Sequence, residues 1–223
     1  MHLARGPQSN RPRRDGFTGH RLTLAPDDVR MLEGLRLTSP ARTWLDLAAV
    51  LQFDDLIAAG DAVVCAHVRG FGPPKVALAC PRDLHDVVIR NPGRRGVARA
   101  RLALGEVRVG ADSPPESMLR LALVRAGLPE PELNVAVRDP AGTEVLWPDL
   151  AYREQQVGVE YDGAHHGSEE QYLKDIAREA RAHRAGWLIV RIGREDMLED
   201  GRPAVDKVRR VLALRPLTRR GTR

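Results

Sequence analysis

The stretch that most limits how this chain can fold is the run from Val157 to Ile192. It opens on Val157-Gly158-Val159-Glu160-Tyr161-Asp162, which reads as a strand. Ser168-Glu169-Glu170-Gln171 then has the pattern of a capping box, a hydroxyl followed three residues later by Gln. It opens a helix expected to reach about Ala185, closed by Gly186. Trp187-Leu188-Ile189-Val190-Arg191-Ile192 is a nearly continuous apolar strand, the pattern of a buried parallel position. Strand, helix and strand in this order form a crossover between parallel strands, and such crossovers are right-handed.

The elements before this unit complete a longer order. Ser113-Pro114-Pro115-Glu116 is a second capping box, with proline at the first helical position and Glu at the third. Its helix is expected to stop at Gly127. Residues 132–138 and 144–151 read as two strands around the turn Asp139-Pro140-Ala141-Gly142. The second half is therefore α-β-β-β-α-β, and 203–213 reads as a last helix. The first half is mainly helical. Ser39-Pro40 caps one helix, Phe53 opens another through about His67, and further pieces fall near 81–90 and 96–106. Leu22-Thr23-Leu24 reads as a short strand. The expected organisation is a flexible arm over 1–20, a helical region over 21–106, an α/β domain with a mixed sheet over 107–215, and a basic tail over 216–223.

Acidic residues sit where strands seldom carry them. Asp149 follows Trp147-Pro148, and Glu160 and Asp162 share one face of their strand because side chains alternate. If the strands are neighbours, Asp149 and Glu160 meet. Two adjacent carboxylates stay ionised cheaply only with a cation between them, and oxygen donors suit Mg²⁺ or Mn²⁺. Glu116 could approach the same spot, or serve only as the cap residue. His165 and His166 lie in the loop beyond. Lys174, Arg178 and Arg181 share a helix face, which is either a solvated surface or a stripe that tracks phosphates. Trp44 and Trp187 read as packing residues.

The net charge of +5 and sequence pI near 9.7 favour a polyanionic partner. Cys65 and Cys80 have no metal-ligand spacing and read as reduced, buried thiols of a cytoplasmic protein. No apolar run is long enough to cross a membrane, and residues 1–20 lack the apolar centre of a secretory signal.

A helix-borne Glu116, then Pro148-Asp149-Leu150-Ala151-Tyr152, then Val159-Glu160-Tyr161-Asp162-Gly163 with His165, resembles the PD-(D/E)XK nuclease superfamily. Within it, Ser113-Pro114-Pro115-Glu116, Gly127-Leu128-Pro129, Asp175, Arg178 and Gly186-Trp187 match the branch similar to very-short-patch-repair endonuclease, a domain-of-unknown-function family. The likeness covers roughly 107–200. Thr38-Ser39-Pro40-Ala41-Arg42-Thr43-Trp44-Leu45-Asp46-Leu47-Ala48 resembles the helical segment of AbiEi-type antitoxin-like proteins, which usually follows a winged helix; the chain is expected to start after that winged helix.

The resemblance implies a restriction-endonuclease-like core that cleaves a DNA phosphodiester with Mg²⁺ or Mn²⁺, in repair or defence. Asp149 and Glu160 would hold the metal, with Asp162 a third ligand. Glu116 would assist, and His165 or His166 would move the proton. Lys174, Arg178 and Arg181 would contact DNA. The family places a Lys where Asp162 stands, and Lys174 is one substitute. The alternative is a catalytically silent DNA-binding regulator of antitoxin type. A homodimer and a toxin partner are both compatible with the pattern.

Overall fold

A computed structural model describes residues 2–69, 73–139, 141–163 and 178–215. It is a mixed α/β protein with two packed regions that share one helix.

The first region is built on helices. α1 (Pro40–Leu47) starts where expected, with Ser39 Oγ accepting the Arg42 N–H and proline at the first position. α2 (Phe53–Val64), α3 (Pro81–Arg90) and α4 (Val97–Leu104) follow. Trp44, Leu45, Leu56, Ile57, Leu84, Val87 and Ala100 form their core. Trp44 also donates its indole N–H to the Leu56 carbonyl at 2.9 Å, so this buried ring loses no hydrogen bond.

Ahead of α1 the expectation of an arm without regular structure is revised. β1 (His2–Arg5) and β2 (Thr18–Arg21) pair in parallel, although every residue of β1 is exposed. Strand structure falls on 18–21 rather than on Leu22-Thr23-Leu24. β3 (Val29–Leu32) and β4 (Leu35–Thr38) form a hairpin around Glu33-Gly34, both at positive φ.

α5 (Pro114–Arg125) joins the two regions. Leu121 packs into the helical core, while Leu119 and Leu123 pack onto the sheet. Ser117 and Arg120 turn towards α2, where both meet the buried Asp61. The capping box is made differently from the sequence pattern. Ser113 Oγ donates to Glu116 Oε1 at 2.8 Å instead of accepting a helix N–H.

Both strands expected between 132 and 151 are broken. The first becomes β5 (Glu132–Leu133) and β6 (Val137–Arg138), split at Asn134, whose φ is +50°. The second becomes β7 (Glu144–Leu146) and β8 (Leu150–Tyr152), split at Trp147-Pro148-Asp149. β6 and β7 make a separate ribbon. The main sheet has the order β10–β9–β8–β5, where β9 is Val157–Asp162 and β10 is Leu188–Gly193. β9 and β10 are parallel and the other pairs antiparallel, so the sheet is mixed.

β10 is parallel to β9, in keeping with the pattern of its sequence, and it is an edge strand among the described residues. Its apolar run follows from burial, since both its faces are covered. Val190 and Ile192 join Val159, Leu150, Leu119 and Val205 on one side. Ile189 joins Ala151, Ala182 and Trp187 on the other. The covering elements are α5 and α7 (Leu198–Ala213) on the first face and α6 (178–184) on the second. In α7 the residues Glu199, Asp200 and Gly201 are left-handed, so regular helix begins near Pro203, as the sequence indicates. No helix among the described residues is long and apolar enough to cross a membrane.

Candidate functional site

The carboxylates converge at the end of the sheet where β8 meets β9. Leu150 pairs with Val159 and Ala151 with Gly158; Asp149, in the bend just before β8, follows beside Glu160, whose charge acts on it. Opposed residues of an antiparallel pair share a face. The face of Ala151 and Gly158 is the one covered by α6. The opposite face takes Val157, Val159 and Tyr161, as the alternation of β9 requires.

Pro148 fixes the approach of Asp149 to its neighbour. Gly158 has no side chain, and Pro148 lies in the space that one would fill: a Cβ there would stand 3.0 Å from Pro148 Cβ and 2.8 Å from Ile189 Cδ1. Asp149 Oδ2 then accepts the Tyr161 backbone N–H at 2.8 Å, and the Asp149 carbonyl accepts the Asn134 N–H at 3.3 Å.

Glu116 reaches the same place from the start of α5. It is 7% exposed and accepts the Asp112 N–H at 2.8 Å through Oε2. Burial first, then the charge of Asp149, raises its pKa above the usual carboxylate range. Asp149 is pushed up to about 6, chiefly by burial and also by the charge of Glu160, against the lowering effect of the Tyr161 N–H and of Arg69 and Arg178. Asp149 therefore opposes the ionisation of Glu116, and Glu160 opposes that of Asp149; among the described residues the three do not bring ligand atoms within 4.8 Å of one another.

Arg178, at the start of the described part of α6, answers part of this negative charge. Its Nη2 lies 2.8 Å from Glu160 Oε1 and donates to the Trp147 carbonyl at 3.3 Å. A residue that the sequence leaves between a solvated helix face and a phosphate-tracking stripe is thus paired with Glu160. Arg181 is exposed on the same helix. Asp162 is exposed at the end of β9, opposite Gly193. It does not join Asp149 and Glu160 in a set of three ligand atoms within 4.8 Å of one another. His165, His166, Lys174 and Asp175, with the expected helix start at Ser168, lie outside the described residues, as does the tail from 216.

Sequence reasoning missed a second group at this junction, contributed by the first region. Asp112 accepts hydrogen bonds from Arg69 and from Lys75, the latter at 2.7 Å, and contacts His67 Nε2 at 2.9 Å. Burial opposes the Asp112 charge, but Lys75 and His67 together with the charge of Arg69 hold its pKa well below the usual carboxylate range. Arg69 also donates to Asn134 Oδ1 at 2.9 Å through Nε. Asn134, whose left-handed backbone breaks the strand, thereby joins the two groups. One signal for this cluster was legible, the spacing Cys65-x-His67; Asp112 and Lys75 lie too far along the chain for any local pattern. Cys80 corrects the expectation of two buried thiols: Cys65 is buried and Cys80 is exposed at the start of α3.

The chain is similar to uncharacterized proteins from two strains of Mycobacterium tuberculosis, each 29% identical over 182 residues, or 79% of this chain. It spans 62% of the length of these relatives. No family model and no solved structure matches the chain.

Proposed function

We propose that the protein hydrolyses a phosphodiester bond of DNA in a metal-dependent reaction, as an endonuclease or nickase of repair or defence. The observation that supports this reading is that Asp149 has Glu116 and Glu160 as charged neighbours, with the carboxyls of Glu116 and Asp149 both raised, by burial first and by a neighbouring carboxylate as well. Such a cluster is costly unless a cation relieves it. The resemblance of these positions to the nuclease motif gives the convergence its chemistry.

The donor set fits Mg²⁺ or Mn²⁺, being all oxygen and anionic. Asp149 and Glu160 would hold the ion, and Asp162 becomes a third ligand only if the end of β9 turns inward. The ion would polarise a phosphoryl oxygen and acidify an attacking water. Glu116, held by Ser113 and the Asp112 N–H, would take a proton from that water. Arg69 and Arg178 act on Asp149 with their charge and would meet non-bridging phosphate oxygens, which guanidinium groups suit. With Asp162 where the family carries Lys, one of these two arginines supplies the missing positive charge.

The second reading is a catalytically silent DNA-binding regulator of antitoxin type. The observation that favours it is the Arg178–Glu160 ion pair, which occupies a would-be metal ligand with a fixed cation. A plasmid assay separates the two. Supercoiled DNA is incubated with the protein, with and without Mg²⁺ or Mn²⁺, beside an Asp149→Ala/Glu160→Ala variant. Metal-dependent nicking that disappears in the variant is expected. Retardation of DNA without nicking at any metal concentration would sink the enzyme and favour the regulator.

A further inference from the structure

The cluster at the end of α2 is made of residues that the hydrolytic site does not need as ligands. Asp112 Oδ1 is its centre. His67 Nε2 lies at 2.9 Å, Lys75 Nζ at 2.7 Å and Cys65 Sγ at 3.5 Å from that oxygen. The ligating atoms of Cys65, His67 and Asp112 all fall within 4.8 Å of one another, and among the described residues this is the one set of three that does. The frame is set by the backbone. His67 and Lys75 face each other on an antiparallel bridge, with N–H to carbonyl bonds of 3.1 and 2.9 Å. Arg69 holds the other oxygen, Oδ2, so Oδ1 is presented to the remaining three side chains.

A thiolate, an imidazole and a carboxylate are the donors of a tetrahedral zinc-class centre with one position left over. Ligand bonds of roughly 2.0–2.3 Å put neighbouring donors roughly 3.3–3.7 Å apart. The separation of Cys65 and Asp112, 3.5 Å, already matches. The contact between His67 and Asp112 is a hydrogen bond at 2.9 Å and has to open slightly. Lys75 touches the same oxygen and its charge also acts on Cys65, so its ammonium supplies the positive charge that a cation of this site would supply. Its side chain is 38% exposed and has a path out to solvent.

We propose that Cys65, His67 and Asp112 bind a zinc-class divalent ion, with the Lys75 ammonium as the resident cation that the ion displaces. Binding moves Lys75 to solvent and releases the Cys65 thiol proton. The site is separate from Asp149 and Glu160 and does not rest on the nuclease reading.

The test is a titration of the full chain with Co²⁺, read by absorption. One equivalent is expected to give a thiolate-to-cobalt charge-transfer band and the visible bands of tetrahedral cobalt. Both should vanish in Cys65→Ser and His67→Ala and persist in the Asp149→Ala/Glu160→Ala variant. Lys75→Met should tighten binding by roughly tenfold, the scale of one lost charge-assisted hydrogen bond. This gain is one that misfolding cannot imitate. No thiolate band, a band that survives Cys65→Ser, or weaker binding in Lys75→Met would overturn the proposal.

Discussion

Asp149 shows how one side chain carries the tension of the site. Its carboxyl is moved from 3.8 to about 6, mainly by burial. A carboxyl raised in the folded state favours folding while it is protonated. Its contribution is complete below about pH 3.8 and is lost as the pH rises through about 6. At neutral pH the folded protein therefore carries a cost at this position. Asp149→Asn retains an acceptor for the Tyr161 N–H and removes the charge. It is expected to raise stability at about pH 7.5 by on the order of 1–2 kcal/mol, discounted for the partial exposure of the group. The gain should shrink towards zero near pH 4, as read from thermal melts across that range. An equal gain at both ends would mean that the carboxyl is not raised. Mg²⁺ is expected to raise the melting temperature of the parent protein at neutral pH and to leave the Asn variant unmoved, since a ligand stabilises only the state that binds it.

Among the elements, β9 decides whether the acids meet. Its alternation puts Val157, Val159 and Tyr161 on the core and leaves Gly158 and Glu160 for the site. Gly158 is needed because Pro148 and Ile189 occupy the volume of its missing side chain. Gly158→Ala is expected to cost on the order of 1–3 kcal/mol by overpacking, measured by urea denaturation. It should also reduce nicking, because the displaced Pro148 carries Asp149 with it. Gly163→Ala is the control for stability: among the described residues its added carbon meets the Tyr161 ring edge, at 3.4 Å, an ordinary contact, and should leave the urea midpoint nearly unchanged. The alternation of β9 was legible in the sequence. The breaks at Asn134 and at Pro148 had only weak local signals, a strand-depleted Asn and a proline that cannot donate to a ladder, set among residues that otherwise keep a strand-like pattern.

At the scale of the molecule, α5 ties the helical region to the sheet through a buried ionic contact. Asp61 of α2 accepts from Ser117 Oγ at 2.7 Å and from Arg120 at 3.2 Å, and both Asp61 and Arg120 are almost fully buried. Burial raises the Asp61 pKa even against the Arg108 N–H and the Arg120 charge, so the pair is held at a cost in desolvation. Removing one partner is worse than removing both. Asp61→Ala is expected to lose about 3–5 kcal/mol, because Arg120 stays buried with Glu130 and the Glu106 carbonyl as its other contacts. Chemical denaturation should show one cooperative transition in the parent protein, since the two cores share a helix. Two separated transitions would show that the regions fold independently.

The sequence by itself determined the local elements. Helix starts at Ser39-Pro40 and Ser113-Pro114, the parallel pair of β9 and β10, and the facing of Glu160 away from the core all follow from caps and from periods of 3.6 and 2, which act over a few residues. Tertiary structure alone decided which distant groups share a space. It folded Arg178 onto Glu160, gathered Cys65, His67, Lys75 and Asp112 into one cluster, and set Arg69 between that cluster and Asn134. Those meetings join residues tens of positions apart in the chain, and they depend on a balance of burial and desolvation summed over the whole fold rather than on any local pattern.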